Sequence, residues 1–249
     1  MADHRRFFVS PEQIGEEEAV IEGSIARQIG RVLRLTVGDA ITLLDGVGGV
    51  YDAKITSITA DRVKARILSR KANTNEPRVR LVLASCIPKS DRMELIVQKC
   101  TELGISEMIL VQSERTITRL DASNLEKKLD RWRKIAREAA EQCGRSKPPT
   151  LSGVVGFAEL VKMIPEYPLT IVAWEEESGL ALRDALREHG DAESVLVLIG
   201  PEGGLTEREV EAAKSAGAVS VSLGQRLLRT DTAAIATCAA VMYELEGEL

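Results

Sequence analysis

"VLVLIGPEGGLTEREVE", Val195 to Glu211, is the stretch on which the fold turns. Five apolar residues, Val195 to Ile199, run into a glycine-rich turn, and a charged segment follows. A short apolar run bounded by glycine predicts a buried strand. Thr206 and Glu209 give the T-x-x-E spacing of a capping box, which starts a helix. Strand, turn and helix in that order make the repeating unit of an α/β sheet.

Glycine turns between a strand and a helix often cradle phosphates, and this one lacks the means. Gly200, Gly203 and Gly204 are followed by Leu205 and Thr206, with no lysine before Lys214 to meet a terminal phosphate. The spacing also misses the dinucleotide pattern, and Glu202 would set negative charge against a pyrophosphate. Pro201 fixes one backbone angle, while Gly203 and Gly204 let the main chain pass close to a flat ligand. A capping box occupies the first helix amides internally. A turn of this kind suits a neutral or cationic ligand.

A similar arrangement recurs at "VSVSLGQRLLRTDTAAIATCAA", Val219 to Ala240. A strand ends in Leu223-Gly224, and a loop carries Gln225, Arg226 and Arg229. Thr230, Asp231 or Thr232 is the candidate cap of a small-residue helix expected to be buried. Either loop alone could be an ordinary tight turn. Side by side at the carboxyl edge of a parallel sheet, the two could sandwich a purine.

Elsewhere the pattern divides the chain. Residues 1–73 hold short alternating segments, "RFFV", "EAVIEG", "DAITLLDG", "GVYDAKITSIT" and "RVKARILSR", which predict strands of a small barrel. One helix, "SIARQIGRVLRL", is expected to start at Ser24. Residues 74–249 predict strands alternating with helices: "VRLVLASCI", "EMILVQ", "LTIVAW", "SVLVLIG" and "VSVSLG", with helices at "DRMELIVQKCTELG" (capped by Ser90 or Asp91) and from Asn124 to Cys143. The polar stretch Ser69 to Arg80 is the expected linker.

The chain has 249 residues, a net charge of -5, four cysteines and two histidines. Cys86, Cys100, Cys143 and Cys238 lie far apart and read as buried thiols of a reducing compartment. His4 and His189 are too few for a zinc site, so no metal is expected. The N-terminus has no signal-type apolar core, and no segment approaches the roughly 20 apolar residues that span a bilayer. The expectation is a cytoplasmic protein with no membrane partner. Up to residue 75 there are 11 Lys/Arg against 10 Asp/Glu, leaving 22 against 28 beyond it. Arg5, Arg6, Arg27, Arg31 and Arg34 gather the positive charge of the first part. Arg27, Arg31 and Arg34 step by four and three, as a shared helix face does. That face is either a solvated surface or a phosphate-contacting one.

The two loops, with "RRFFV", "RVLRLTVGD", "IPKSDRMELIVQKCTELGI" and "AREAAEQCGRSKPP", together resemble the RsmE family of bacterial methyltransferases, of the SPOUT class. That resemblance implies methylation of N3 of a uridine in 16S ribosomal RNA of the small subunit, uridine 1498 in the usual rRNA numbering. It implies an α/β fold whose parallel sheet carries a deep C-terminal trefoil knot, with a PUA-like barrel before it. S-adenosylmethionine (SAM) is the implied cofactor, held by Ala173, Trp174 and Glu175, by Ile199, Gly200, Pro201, Glu202, Gly203 and Gly204, and by Leu223, Gly224, Leu227, Leu228 and Thr230. Arg229 is the expected catalytic residue, stabilising charge on a uridine carbonyl; the alternative is an ion pair with Asp231 or a phosphate. The family usually has glutamate where Asp231 stands.

Lys89, Arg92 and Arg145 join the barrel arginines as expected RNA contacts, with Lys99 divided between RNA and a solvated helix surface. Gln142 and Arg145 are expected on one helix face. Glu102 and Glu202 are the candidate bases, with capping or ion pairing as the other reading of each. A homodimer through the helix from Asp231 to Leu245 is implied too. A different SPOUT methyltransferase, or an RNA-binding factor without catalysis, remains open at this point.

Overall fold

The computed structural model of the protein describes residues 5–72, 75–89, 92–117 and 122–247. His4, the caps Ser90 and Asp91, and the boundary between 73 and 74 lie outside the described residues. The chain divides into two compact units, one of residues 1–76 with 140–148, the other of residues 77–139 with 149–249.

In the first unit, β1 (Arg6–Phe8), β2 (Glu18–Glu22), β3 (Ala40–Leu44), β4 (Gly49–Ile58) and β5 (Arg62–Ala72) form one curled sheet in the order β1-β3-β4-β5-β2. β1 pairs with β3 in parallel and the other neighbours are antiparallel. Register shifts at Asp52/Ala53 and Ile55/Ser57 bend β4 against β5, which helps the sheet curl around Phe7, Ile21, Leu43, Ile55 and Val63. β5 runs to Ala72 and a later strand begins at Arg80, so the connection is shorter than the polar composition of Ser69 to Arg80 predicts.

The helix between β2 and β3 also differs from expectation. α1 (Gly23–Arg27) is capped by Glu22 without a side-chain bond, so Ser24 lies inside it. It continues as a π-helix over Gln28–Val32, closed by an amide of Leu33 donating to Gln28 O. Arg27 and Arg31 are exposed on this segment, whereas Arg34 lies past its end with φ 53. The wider turn and this reversal take Arg34 off the shared face that the four-and-three spacing predicts.

In the second unit, β6 (Arg80–Cys86), β7 (Glu107–Gln112), β8 (Thr150–Gly156), β9 (Leu169–Ala173), β10 (Ser194–Ile199) and β11 (Val219–Val221) form a six-stranded sheet, every pairing parallel. Its order is β11-β9-β10-β6-β7-β8. The central strands are buried on both faces, which is why their sequences are apolar without alternation. β8 is the strand the sequence reading omits: "TLSGVVG" carries two glycines and a serine, a composition tolerated at a half-exposed sheet edge.

α2 (Arg92–Glu102), α3 (Ala122–Cys143), α5 (Leu182–Glu188) and α7 (Thr230–Glu246) contribute to the apolar layer on one face of the sheet. α4 (Phe157–Met163) and α6 (Glu207–Ser215) cover the other. Leu129, Trp132 and Ala136 form the buried stripe of α3, which shifts to Ala139 and Ala140 and leaves Cys143 exposed, against expectation. Burial pushes the Cys86 thiol up to about 11. Among the described residues, no helix is long and apolar enough to cross a membrane.

One crossing gives this unit its distinctive connectivity. Val221 O accepts from Trp174 N at 3.2 Å, while Ser222 N donates to Leu180 O and Ser222 O accepts from Leu182 N, at 2.8 and 3.1 Å. The chain after β9 therefore passes around the carboxyl end of β11, with β9 on one side of that end and residues 180–182 on the other. A bridge between Ala181 and Ser222 completes the flank.

Candidate active site

At this crossing lies a pocket of about 420 Å³, open to solvent. That volume includes solvent-open space, so the lining residues, not the size, decide what the pocket can hold. One wall is Ala173, Trp174 and Glu175, where β9 ends. The other is Ser222, Leu223, Gly224, Arg226, Leu227 and Leu228 after β11, with Ala233 of α7 behind them. Gly224 has φ 106, and no atom stands within 4 Å of where its Cβ would be, so a flat ligand can approach the backbone there. Leu227 is 83% exposed, an apolar side chain at the mouth without cover.

Seven of the expected cofactor residues line this pocket: Ala173, Trp174, Glu175, Leu223, Gly224, Leu227 and Leu228. Ile199, Gly200, Pro201, Glu202, Gly203, Gly204 and Thr230 do not. The glycine turn is spent on its neighbours. Gly204 N donates to Pro201 O at 2.9 Å, the Glu202 carboxylate accepts Lys89 N–H at 2.8 Å, and Gly203 O accepts from Arg115 Nη1 at 3.0 Å. The capping box of α6 is present: Glu209 N donates to Thr206 Oγ1 at 3.3 Å and Thr206 N to Glu209 Oε2 at 2.9 Å. The turn meets the pocket at one place, where the Glu175 carboxylate occupies the space a side chain on Gly204 would need.

Arg229 follows Leu228, the last lining residue of the loop. It is exposed, extended (φ -68, ψ 154), and is itself the N-cap of α7 with no side-chain cap bond. Thr230, Asp231 and Thr232 are thus inside α7, not its cap. Asp231 lies 3.7 Å from Arg92, so the ion pair considered for Arg229 is made by a different arginine. Arg92, expected on RNA, faces the start of α7 instead. Just beyond the pocket loop, the Gly179 N–H bonded to Glu177 holds that carboxyl below its ordinary range.

The other expected residues separate. Arg145 is a correction: it is 4% exposed, and its Nε and Nη2 donate to Glu76 at 3.2 and 3.0 Å. Ser146 and Lys147 amides join the same carboxylate at 2.7 and 3.0 Å. A buried guanidinium committed to a half-buried carboxylate is closed to RNA. α3 ends at Cys143, so Gln142 and Arg145 share no helix face. Glu102 pairs with Lys99 at 2.9 Å, and Glu202 holds a backbone amide, so each keeps its structural role. Arg5 pairs with Asp39 at 2.8 Å, Arg6 is half-buried, and Lys89 is exposed.

Ser222, Arg226, Ala233 and, behind the wall, Arg115 are absent from the expected set. The first three follow from continuity of the second loop and one turn of its helix. Nothing in the local pattern near Arg115 signals its contact with a turn 88 residues away.

The fit to S-adenosylmethionine rests on this lining. Leu223, Leu227, Leu228, Trp174 and a bare glycine backbone suit an adenine ring, the Glu175 carboxylate suits a cationic or hydroxyl-bearing group, and Arg226 is the cation of a lining that is as polar as it is apolar.

Comparison with known proteins shows the family. The RNA methyltransferase domain family matches residues 74–242, and the RNA methyltransferase PUA domain family matches residues 21–68. The chain is 34% identical to ribosomal RNA small subunit methyltransferase E of Bacillus subtilis, over 97% of both chains. It is 32% identical to the protein of that name in Synechocystis, over 97% of this chain and 78% of the other. A crystal structure of ribosomal RNA small subunit methyltransferase E from Neisseria gonorrhoeae, bound to S-adenosyl methionine, superposes with a TM-score of 0.86. Its identity is 32%, over 96% of each chain.

Proposed function

Because the chain belongs to the RNA methyltransferase family that includes ribosomal RNA small subunit methyltransferase E, we propose that it methylates N3 of a uridine in 16S ribosomal RNA. Likeness to that family supports uridine 1498 as the base. The observation that carries the reading is the pocket where the loops after β9 and β11 meet, walled by leucines and Trp174, with Glu175 as its carboxylate and Arg229 next to its last loop residue, Leu228.

When bound there, S-adenosylmethionine supplies a methyl group on a cationic sulfur. Leu223, Leu227, Leu228 and Trp174 provide apolar surface for its adenine, and the backbone at Gly224 leaves room for close approach. Uridine N3 carries a proton between two carbonyls and is a poor nucleophile until solvent water takes that proton. Arg229, exposed at the mouth, donates to a carbonyl oxygen of the base and stabilises the charge left by the departing proton. The rest of the acceleration comes from holding N3 in line with the methyl group, for which no side chain needs to titrate.

Residues 1–73 form the PUA-like RNA-binding domain in this reading, and residues 74–249 the catalytic domain. Arg27, Arg31 and Arg34 offer charge to RNA phosphates. Val32, Leu33 and Val37 stand exposed beside them and offer apolar contact. The trefoil knot is supported by the hydrogen bonds that set the end of β11 between β9 and residues 180–182. The outer face of α7, with exposed Thr232, Ala236 and Tyr243, supports a homodimer. The substrate places the enzyme in the cytoplasm with the small subunit.

The test is a methylation assay on isolated small subunits and on naked 16S RNA, with the product nucleoside identified by mass. N3-methyluridine is the expected product. A ribose-methylated nucleoside, or activity on transfer RNA alone, overturns the assignment.

A further inference from the structure

Arg115 is on the loop after β7, away from the pocket lining, and is joined to it through the glycine turn. Ser113 N donates to Thr116 Oγ1 at 3.1 Å, and Thr116 N to Ser113 O at 3.2 Å, which shapes this loop into a tight turn. Two bonds then fasten it to the segment after β10. Glu114 N donates to Glu209 Oε1 at 2.8 Å, and Arg115 Nη1 donates to Gly203 O at 3.0 Å. The Arg115 stem lies over Gly203, where an added Cβ would meet its Cβ at 3.5 Å and its Cδ at 3.7 Å. The next residue, Gly204, has φ 70 and gives its side-chain space to the Glu175 carboxylate. Glu175 lines the pocket.

We infer that Arg115 is a positioning residue for cofactor binding: by holding the Gly203 carbonyl it fixes the Gly204 seat, and the seat sets where the Glu175 carboxylate stands in the pocket wall. The inference rests on the S-adenosylmethionine reading of the pocket. It gives the glycine turn a purpose that fits its absence from the lining. The turn is the seat of a lining residue, and the arginine keeps the seat in place. Lysine at 115 retains a cationic donor for the same carbonyl but loses the planar, branched head.

The test is calorimetric titration of S-adenosylmethionine into the full chain and its variants, with melting temperatures recorded for each. Arg115→Ala raises Kd by about tenfold, the effect of one charge-assisted hydrogen bond. Arg115→Lys recovers part of that loss. In a Glu175→Ala background the same Arg115→Ala change alters Kd by about twofold or less, because the group being positioned is gone. Gly204→Ala weakens binding at least as far as Arg115→Ala, since its methyl group evicts the carboxylate.

An unchanged Kd in Arg115→Ala, or equal losses in both backgrounds, overturns the inference. Weakened 16S RNA binding with cofactor affinity intact also overturns it, and reassigns Arg115 as an RNA contact. A wild-type chain that takes up no cofactor sinks the pocket reading and this inference together, and so is told apart from a failure of Arg115 alone.

Discussion

The turns at Gly200–Gly204 and Gly224–Arg229 come from the same pattern, an apolar strand followed by glycine, a loop and a helix, and the structure uses them in opposite ways. The first is closed. Its helix is capped by its own Thr206 and Glu209, its carbonyl is held by Arg115, and its carboxylate is held by the Lys89 amide. The second is open. Its helix has no side-chain cap, Arg229 stands exposed at the cap position, and Leu227 is left uncovered. A loop whose polar groups are already partnered serves as scaffold. A loop with exposed polar and apolar groups above a pocket has surface left for a ligand.

Substitutions can break or sharpen this contrast. The largest effect is expected in the open loop: Arg229→Ala lowers turnover by about 10²-fold, as loss of a charge-stabilising donor does. Single-turnover methylation at saturating cofactor measures it, and undiminished turnover would remove Arg229 from the chemistry. In the closed turn the cost falls on folding. Thr206→Ala, which deletes half of the capping box, lowers stability by about 1 kcal/mol in urea denaturation. A loss of turnover as deep as that of Arg229→Ala would show the two loops are not divided in this way. The smallest effect is at Leu227→Ser, which leaves stability within about 0.5 kcal/mol because the side chain is already exposed. Cofactor affinity drops by about threefold, read by titration, as apolar contact is lost. Unaltered affinity would place the adenine elsewhere in the pocket.

Legibility followed the range of the interactions. The runs "VLVLI" and "LVLASC" announced buried strands because both faces of a parallel strand are covered, and T-x-x-E announced the cap because its partners are three residues apart. The pocket loops were recognisable as loops, and their tie to SAM came from likeness to a family. What misled was spacing taken beyond the helix that would justify it. Arg34 lies past a π-helical turn, and Arg145 past the end of α3, where Glu76 takes its charge. β8 escaped notice because glycine and serine weaken the strand signal in a place where an edge position tolerates them.

Local chemistry, then, was enough to specify most of the strands and helices and the absence of a phosphate-binding lysine from the glycine turn, since each depends on neighbours a few residues apart. Which glycine turn would wall the pocket, which would be braced by Arg115, and which carboxylate would claim Arg145 depended on residues tens of positions distant. Those contacts exist only once the sheet order brings the loop ends together, and no local pattern encodes that order.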